Sequence, residues 1–309
     1  MIEFAGQKMR NRLVAASCPI TESLPRLKCC DAAGFGAAIL KTSADYEAAP
    51  PSYGRRVVYI GDAYYADSPF QREILTMEKG ISLFRAARAS GFEMRLIPSV
   101  TAVSTNPAVW LDICRAFERE GAEVIQADFF YFGELCGDEA FYDELTALLN
   151  VLTNKLDAVI MPKLNPRFEA EKVCGALMQG GVRYVSLLDS MRRDPPTEYG
   201  LHSGTTSYFG PEQLPITQRF LQTALRRGLR VCAGGGVSTP DDVCGLLTAG
   251  AELAQVASCV LKNGFSYVRN LLDEPLSNRN RAAEALNHHT WCDIEEGEPC
   301  THCGGCRNC

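Results

Sequence analysis

Histidine is scarce in this chain: there are four, at positions 202, 288, 289 and 302. A Ser-His-Asp arrangement would have to draw on one of them, and no G-x-S-x-G elbow is present to hold its serine. His288 and His289 are adjacent, so on a helix they would not share a face, and exposure is expected for them rather than metal binding. The G-x-x-x-x-G-K-[ST] phosphate loop is absent. So is any basic run: Lys and Arg total 31 against 37 Asp and Glu, the net charge is -6, and nucleic acid is not an expected partner. No apolar run approaches the roughly 18 residues of a membrane span, and no apolar leader precedes a cleavage site. Neither secretion nor a membrane location is expected. The 14 cysteines, without such a leader, suggest reduced thiols in a cytoplasmic protein, some of them on a metal, rather than a disulfide framework.

What is present is one rhythm. The 309 residues, 46% hydrophobic, suffice for a large core, and single-domain α/β barrels reach this size. Short apolar runs occur at 12-17, 36-42, 94-100, 122-129, 158-164, 184-190, 229-236 and 253-260. Their length and aliphatic content suit strands buried on both faces. Between them lie helical spacings, such as Phe141, Leu145, Leu148, Leu149 and Leu152, or Val109, Ile113, Ala116 and Phe117. Helix stops are expected at Gly91, Gly121, Gly180, Gly228 and Gly250, and Thr239-Pro240-Asp241-Asp242 reads as a helix start. Eight strand–helix units predict an α/β fold of the (β/α)8 TIM-barrel type, with an open doubly wound sheet as the rival. The expected division is a barrel over 1-273 and a short cysteine-rich extension over 274-309. Two long loops, 43-69 and 191-211, read as lids or binding loops.

Strand ends carry the candidate chemistry. "AGGGVSTPDDV" (233-243) runs from a strand through Gly234, Gly235 and Gly236 into a helix, where backbone N–H groups can meet an anion. A tight turn without ligand is the plainer reading. One strand later, Ser258 offers a hydroxyl, and loops after strands seven and eight of barrels often hold phosphate. Lys41 and Lys163 each end an apolar strand, a costly place for an ammonium unless it is paired or meets an anion. Snorkelling to solvent is the alternative.

At these residues the chain resembles a known family. "NRLVAASCPITE", "AAGFGAAILKTS", "GAEVIQADFFYF", "VIMPKLNP", "GVRYVSLLDS" and "AGGGVSTPDDVCGLLTAGAELAQVASCVLKNG" occur in the order of matching segments in dihydroorotate dehydrogenases and in the flavin barrel of dihydropyrimidine dehydrogenases. The likeness spans residues 5-272 and is strongest over the last 45 of them. It implies FMN at the C-terminal ends of the strands. By that likeness Ala16 and Ser17 line the flavin, Lys41 lies by the isoalloxazine and substrate, and Lys163 stabilises charge on the N1/O2 edge. Thr42 and Ser99 belong to the same implied cofactor set. Gly235 and Gly236, with Ala257 and Ser258, hold the phosphate. Asp189 and Ser190 stand where the family has Asn followed by Thr or Ser.

The departures fall on substrate reading. Counting from Gly121-Ala122, Asp128 takes the place of the first Asn of the family's catalytic loop, and Tyr131 that of its catalytic thiol or hydroxyl. The Asn-rich substrate loop is replaced by "RRVVYIGDAYYADS". Dihydroorotate is weakened as substrate, while flavin redox chemistry stays open. Tyr131 is a candidate proton donor, with packing of Phe129-Phe130-Tyr131-Phe132 as its bland alternative; Cys136 is a second candidate. Cys18 either faces the flavin or packs as a small apolar residue. The RNA-modifying dihydrouridine synthases resemble this family in fold, but the acidic balance opposes that reading.

Cys300, Cys303, Cys306 and Cys309 form C-x2-C-x2-C-x2-C, preceded by Cys292. Three such thiolates resemble the ferredoxin-type run of a [4Fe-4S] cluster, with the fourth ligand from Cys309, Cys292 or a partner. Tetrahedral zinc is the second reading, and a redox-active or disordered tail the third. A helix over 279-290 could carry the cysteines back toward the flavin; if it does not, the cluster is a brace or an interface element. The sequence thus points to an FMN-dependent oxidoreductase acting on a C–C bond of a small, polar, cyclic substrate. Lys41, Lys163 and Tyr131 would serve it, and electrons would pass through the cluster to a redox partner protein; a homo-oligomer is expected. The alternative is a non-catalytic or electron-relay subunit that docks a partner through its tail.

Overall fold

The structure is a computed structural model that describes residues 2–45, 56–67, 74–129, 132, 139–193 and 206–277. Two short strands open it, β1 (Ile2–Phe4) and β2 (Gln7–Met9), paired antiparallel. Their connection has φ 51° at Ala5 and 77° at Gly6. Positive φ at both central positions gives the turn whose twist matches paired strands.

The chain then alternates. β3 (Leu13–Ala15) leads through a 3-10 turn, Pro19–Thr21, to α1 (Leu24–Ala33), β4 (Ala37–Ile39) and β5 (Ser43–Ala44). Next come β6 (Arg56–Ile60), β7 (Ala63–Asp67), β8 (Leu75–Thr76), α2 (Met77–Ala89), β9 (Arg95–Ile97), β10 (Ser99–Val100) and α3 (Pro107–Arg119). β11 (Val124–Asp128), α4 (Glu139–Lys155), β12 (Val159–Lys163), α5 (Ala170–Gln179), β13 (Tyr184–Ser186), β14 (Met191–Arg192) and β15 (Thr206–Phe209) follow. α6 (Leu214–Arg226), β16 (Arg230–Gly234), α7 (Pro240–Thr248), β17 (Leu253–Val256), α8 (Ser258–Asn263) and α9 (Tyr267–Ser277) complete it.

Eleven strands make one parallel sheet in the order β8-β5-β10-β11-β12-β13-β16-β17-β3-β4-β9. Each of the eight apolar runs carries part of it. The run 94-100 supplies both β9 and β10, split at Pro98, which has no N–H for the ladder. β3 lies between β17 and β4, so the C-terminal and N-terminal parts of the sheet meet. The result is a curled, barrel-like α/β fold. Leu145, Leu148, Leu149 and Leu152 of α4, with Ile113 and Phe117 of α3, are buried in the main core, as their spacing predicts.

The β1–β2 hairpin packs across the end where the strands begin. Its Phe4 and Met9 are buried with Val14, Ala37, Val124 and Leu253. Polar contacts pin its rim: Arg95 Nε donates to Lys8 O at 2.8 Å, and Gln7 Nε2 to Glu123 Oε2 at 3.2 Å.

The two long loops do not stay separate. Parts of them form a four-stranded antiparallel sheet, β14-β15-β7-β6. Its register sets Tyr65 opposite Tyr208 and Tyr64 opposite Phe209. Tyr64 stacks on Phe209 at 4.4 Å, and Tyr65 meets Tyr208 edge-on at 5.2 Å. Such aromatic pairs contribute about 0.5–1.5 kcal/mol each beyond their area.

The start of α7 is as the sequence indicates: Thr239 Oγ1 accepts from Asp242 N, and Asp242 Oδ2 accepts from Thr239 N. α5 differs by one residue. Gly180 keeps a negative φ, and Gly181 takes the left-handed position at φ 79°. No described helix is long and apolar enough to cross a membrane. The expected helix over 279-290 lies outside the described residues.

Candidate functional site

In a parallel sheet the strand ends share one edge, and that is where the expected residues meet. Ala16 and Ser17 follow β3, Lys41 and Thr42 follow β4, and Ser99 lies in β10. Asp128 ends β11, Lys163 ends β12, and Asp189 and Ser190 come after β13. Gly234 ends β16, Gly235 and Gly236 continue it, and Ala257 and Ser258 stand between β17 and α8. Part of this set borders a cleft of about 60 Å³, whose wall includes Ser17, Lys163, Asp189, Ser190, Gly235 and Ser258. Ala16, Gly236 and Ala257 also reach it. Lys41, Thr42, Ser99 and Asp128 are buried behind this wall.

Lys163 does not snorkel. It is 6% exposed, and its Nζ lies 3.1 Å from Asp189 Oδ2 and 3.8 Å from Asp128 Oδ2. Burial works against its charge, but the carboxylates of Asp189 and then Asp128 outweigh it and hold the ammonium's pKa above the ordinary lysine value. An ammonium has three N–H donors. Asp128 is beyond hydrogen-bond distance, so Asp189 leaves donor capacity at the cleft. Asp189 is itself oriented: its Oδ1 accepts from Ser190 N at 2.7 Å, and its backbone O accepts from Gln213 Nε2.

Behind the wall runs a chain of hydroxyls. Thr42 Oγ1 lies 3.0 Å from both Ser17 Oγ and Ser99 Oγ, and it donates to Asp128 Oδ2 at 3.0 Å. Gln126 Nε2 donates to Ser99 Oγ at 2.9 Å. On the other side of the barrel interior, Gln255 Nε2 donates to Ser186 Oγ at 2.8 Å.

The glycine turn is tight for a packing reason. A Cβ at Gly235 would lie 2.6 Å from Gln213 Nε2, and one at Gly236 2.4 Å from Leu214 N, because the start of α6 rests on the turn. Both residues have positive φ, 98° and 85°. Close packing therefore accounts for glycine here with or without a ligand. The N–H groups tell more: among the described residues, neither Gly235 N nor Gly236 N meets a protein acceptor. With Ser258 on the same wall, the donor set fits a phosphate-bearing ligand.

Tyr131 and Cys136 lie outside the described residues, as do Cys292, Cys300, Cys303, Cys306 and Cys309. Phe129 and Phe132, which flank Tyr131, are described and fully buried. Among the described residues no group of three or more His, Cys, Asp or Glu is placed to hold a metal. Cys18 is buried, at 7% exposure, and forms part of the cleft wall. Sequence reasoning missed Gln126, Gln213, Gln255 and Phe209. A signal existed for two of them: Gln126 and Gln255 each interrupt an otherwise apolar buried strand, which is costly without a polar partner inside. Comparison with known proteins finds no matching family model and no matching curated protein.

Proposed function

We propose that this chain is an FMN-dependent oxidoreductase on a (β/α)8 barrel, as its resemblance to dihydroorotate dehydrogenases implies. Eight strand runs that neighbour one another in the order β3, β4, β9–β10, β11, β12, β13, β16, β17 support the eightfold reading. One observation carries the function: a buried, ion-paired Lys163 shares a cleft wall with Gly235 and Gly236, whose N–H groups meet no acceptor among the described residues.

FMN, when bound, supplies two-electron oxidation or reduction of a C–C bond. Gly235 N, Gly236 N and the Ser258 hydroxyl hold its phosphate. Ala16 and Ser17 border its ring, and the remaining donors of Lys163 meet its N1/O2 edge. Lys41, at the end of β4, attends the substrate, and Tyr131 or Cys136 supplies a proton. Asp128, standing where the family has Asn, presents a carboxylate. It repels anionic substrates, which favours a neutral, small, polar ring over dihydroorotate. The tail cysteines would hold a [4Fe-4S] cluster, which would supply one-electron transfer to a redox partner, or a zinc ion, which would serve as a structural brace only.

The test is the visible spectrum of anaerobically purified protein, followed by turnover with dihydropyrimidines and enones. Flavin bands with a broad iron-sulfur shoulder are expected, and Tyr131→Phe should slow turnover. A colourless protein refutes the flavin assignment. Bound flavin without turnover on any acceptor would turn the assignment to an electron-relay subunit.

A further inference from the structure

The hydroxyl chain behind the cleft admits one assignment of protons. Thr42 Oγ1 has three partners at 3.0 Å: Ser17 Oγ, Ser99 Oγ and Asp128 Oδ2. A hydroxyl has one proton and two lone pairs, and an ionised carboxylate has no proton to give. Thr42 therefore donates to Asp128, and its lone pairs take the protons of Ser17 and Ser99. Ser99 in turn accepts from Gln126 Nε2 at 2.9 Å. Every hydrogen bond in the chain points toward Asp128.

Only Ser17 stands on the cleft wall; Thr42 and Asp128 are each 6% exposed and lie behind it. With its proton committed to Thr42, the Ser17 hydroxyl offers the cleft lone pairs alone. When Asp128 takes up a proton it becomes the donor, Thr42 turns, and Ser17 is free to donate into the cleft. The charge on a buried carboxyl is thus read at the wall as acceptor or donor.

We propose that Asp128, Thr42 and Ser17 form a proton relay for the cleft, with Asp128 as the store and Ser17 as the contact with the ligand. The relay rests on the redox reading above and gives Ser17, in place of Tyr131 or Cys136, the proton transfer with substrate. In the oxidative direction a substrate C–H bond breaks and its proton passes to Ser17 Oγ. The proton of Ser17 passes to Thr42 Oγ1, and that of Thr42 to Asp128 Oδ2. One C–H bond is lost and one carboxyl O–H bond forms. The second hydrogen of the CH–CH unit leaves with two electrons to the flavin, the oxidant of that reading. Reduction runs the same path backwards. The charged groups around Asp128 suit a store. Lys163 Nζ faces it at 3.8 Å from β12, and Asp189, after β13, holds Lys163 more closely at 3.1 Å. Lys163 is shared between two carboxylates and sits nearer Asp189, so it stabilises the charge on Asp128 less than a dedicated partner would. Lys41 precedes Thr42 on the neighbouring strand end.

The test is an infrared titration of the Asp128 carboxyl, assigned by its loss in Asp128→Asn, alongside the pH profile of turnover. Thr42→Val keeps the shape and removes the hydroxyl. It should raise the pH at which the carboxyl protonates by about one to two units and lower turnover per bound flavin by roughly 10²-fold or more. Thr42→Ser should restore both. Ser17→Ala, a change at the wall, should leave the carboxyl titration nearly in place yet remove the same limb of the pH profile. A carboxyl that titrates alike in parent and Thr42→Val overturns the relay, as does Thr42→Ser behaving like Thr42→Val, or Ser17→Ala with the parent's profile. A flavin-free chain whose carboxyl still moves as expected supports the coupling and refutes only the redox reading.

Discussion

Lys163 shows how a single side chain is held where it should not be. Burying an ammonium costs several kcal/mol even after relaxation, and Asp189 and Asp128 offset that cost with charge at 3.1 and 3.8 Å. Removing one partner of such a pair costs about 3–5 kcal/mol. Asp189→Asn and Lys163→Met should each lower the urea midpoint accordingly. The pH dependence follows from the sign of the shift. The folded pKa lies above the ordinary 10.5, so the stability this pair contributes is fully present below that value and is lost as pH rises past it. The gap between parent and Lys163→Met should therefore be constant from pH 7 to about 9 and shrink in stronger alkali; a gap that stays unchanged through strong alkali would contradict the pairing. The cysteines make a second case at this scale. Burial pushes the thiols of Cys114, Cys174 and Cys259 up to about 12, whereas Cys29 is exposed. Peptide mapping after iodoacetamide at pH 8 should find Cys29 modified, and those three only after unfolding.

At the scale of elements, the turn after β11 is anchored by aromatic rings. Trp110 of α3 meets Phe129 edge-on at 5.3 Å, Phe129 stacks on Phe132 at 5.2 Å, and Phe132 meets Phe141 of α4 at 5.6 Å. The apolar run 129-132 is therefore packing at both its ends, whatever the role of Tyr131 between them. Phe132→Ala should cost about 3–5 kcal/mol, read as a fall in thermal midpoint. The β6–β7 and β14–β15 pieces form a joint element. Two-stranded hairpins are marginal alone, and the Tyr64–Phe209 and Tyr65–Tyr208 contacts across β7 and β15 join them.

For the whole molecule, the pairing of β17 with β3 makes the far ends of the described chain neighbours. The β1–β2 hairpin then covers the end where the strands begin, and Phe4 is 1% exposed despite its place near the chain start. Phe4→Ala should destabilise the chain by about 3–5 kcal/mol, as a core aromatic does, and shift the whole unfolding transition rather than fray one end. A change within about 0.5 kcal/mol, the range of a surface substitution, would place the hairpin outside the cooperative unit.

What the residues declared on their own was short-range. Strands buried on both faces must be unbroken apolar runs, helices must repeat near 3.6, and caps need particular side chains, so eight strand runs, the start of α7 and the strand-end positions of Lys41, Lys163 and Gly235 could all be read in order. Only the tertiary structure decided what joins positions far apart. Thr42 meets Ser99 and Asp128 across 57 and 86 residues of chain, and β6 and β7 find β14 and β15 as a sheet. Such contacts depend on the register and curl of the whole sheet, and the direction of a hydroxyl's proton depends on all of its partners at once, which no local pattern encodes.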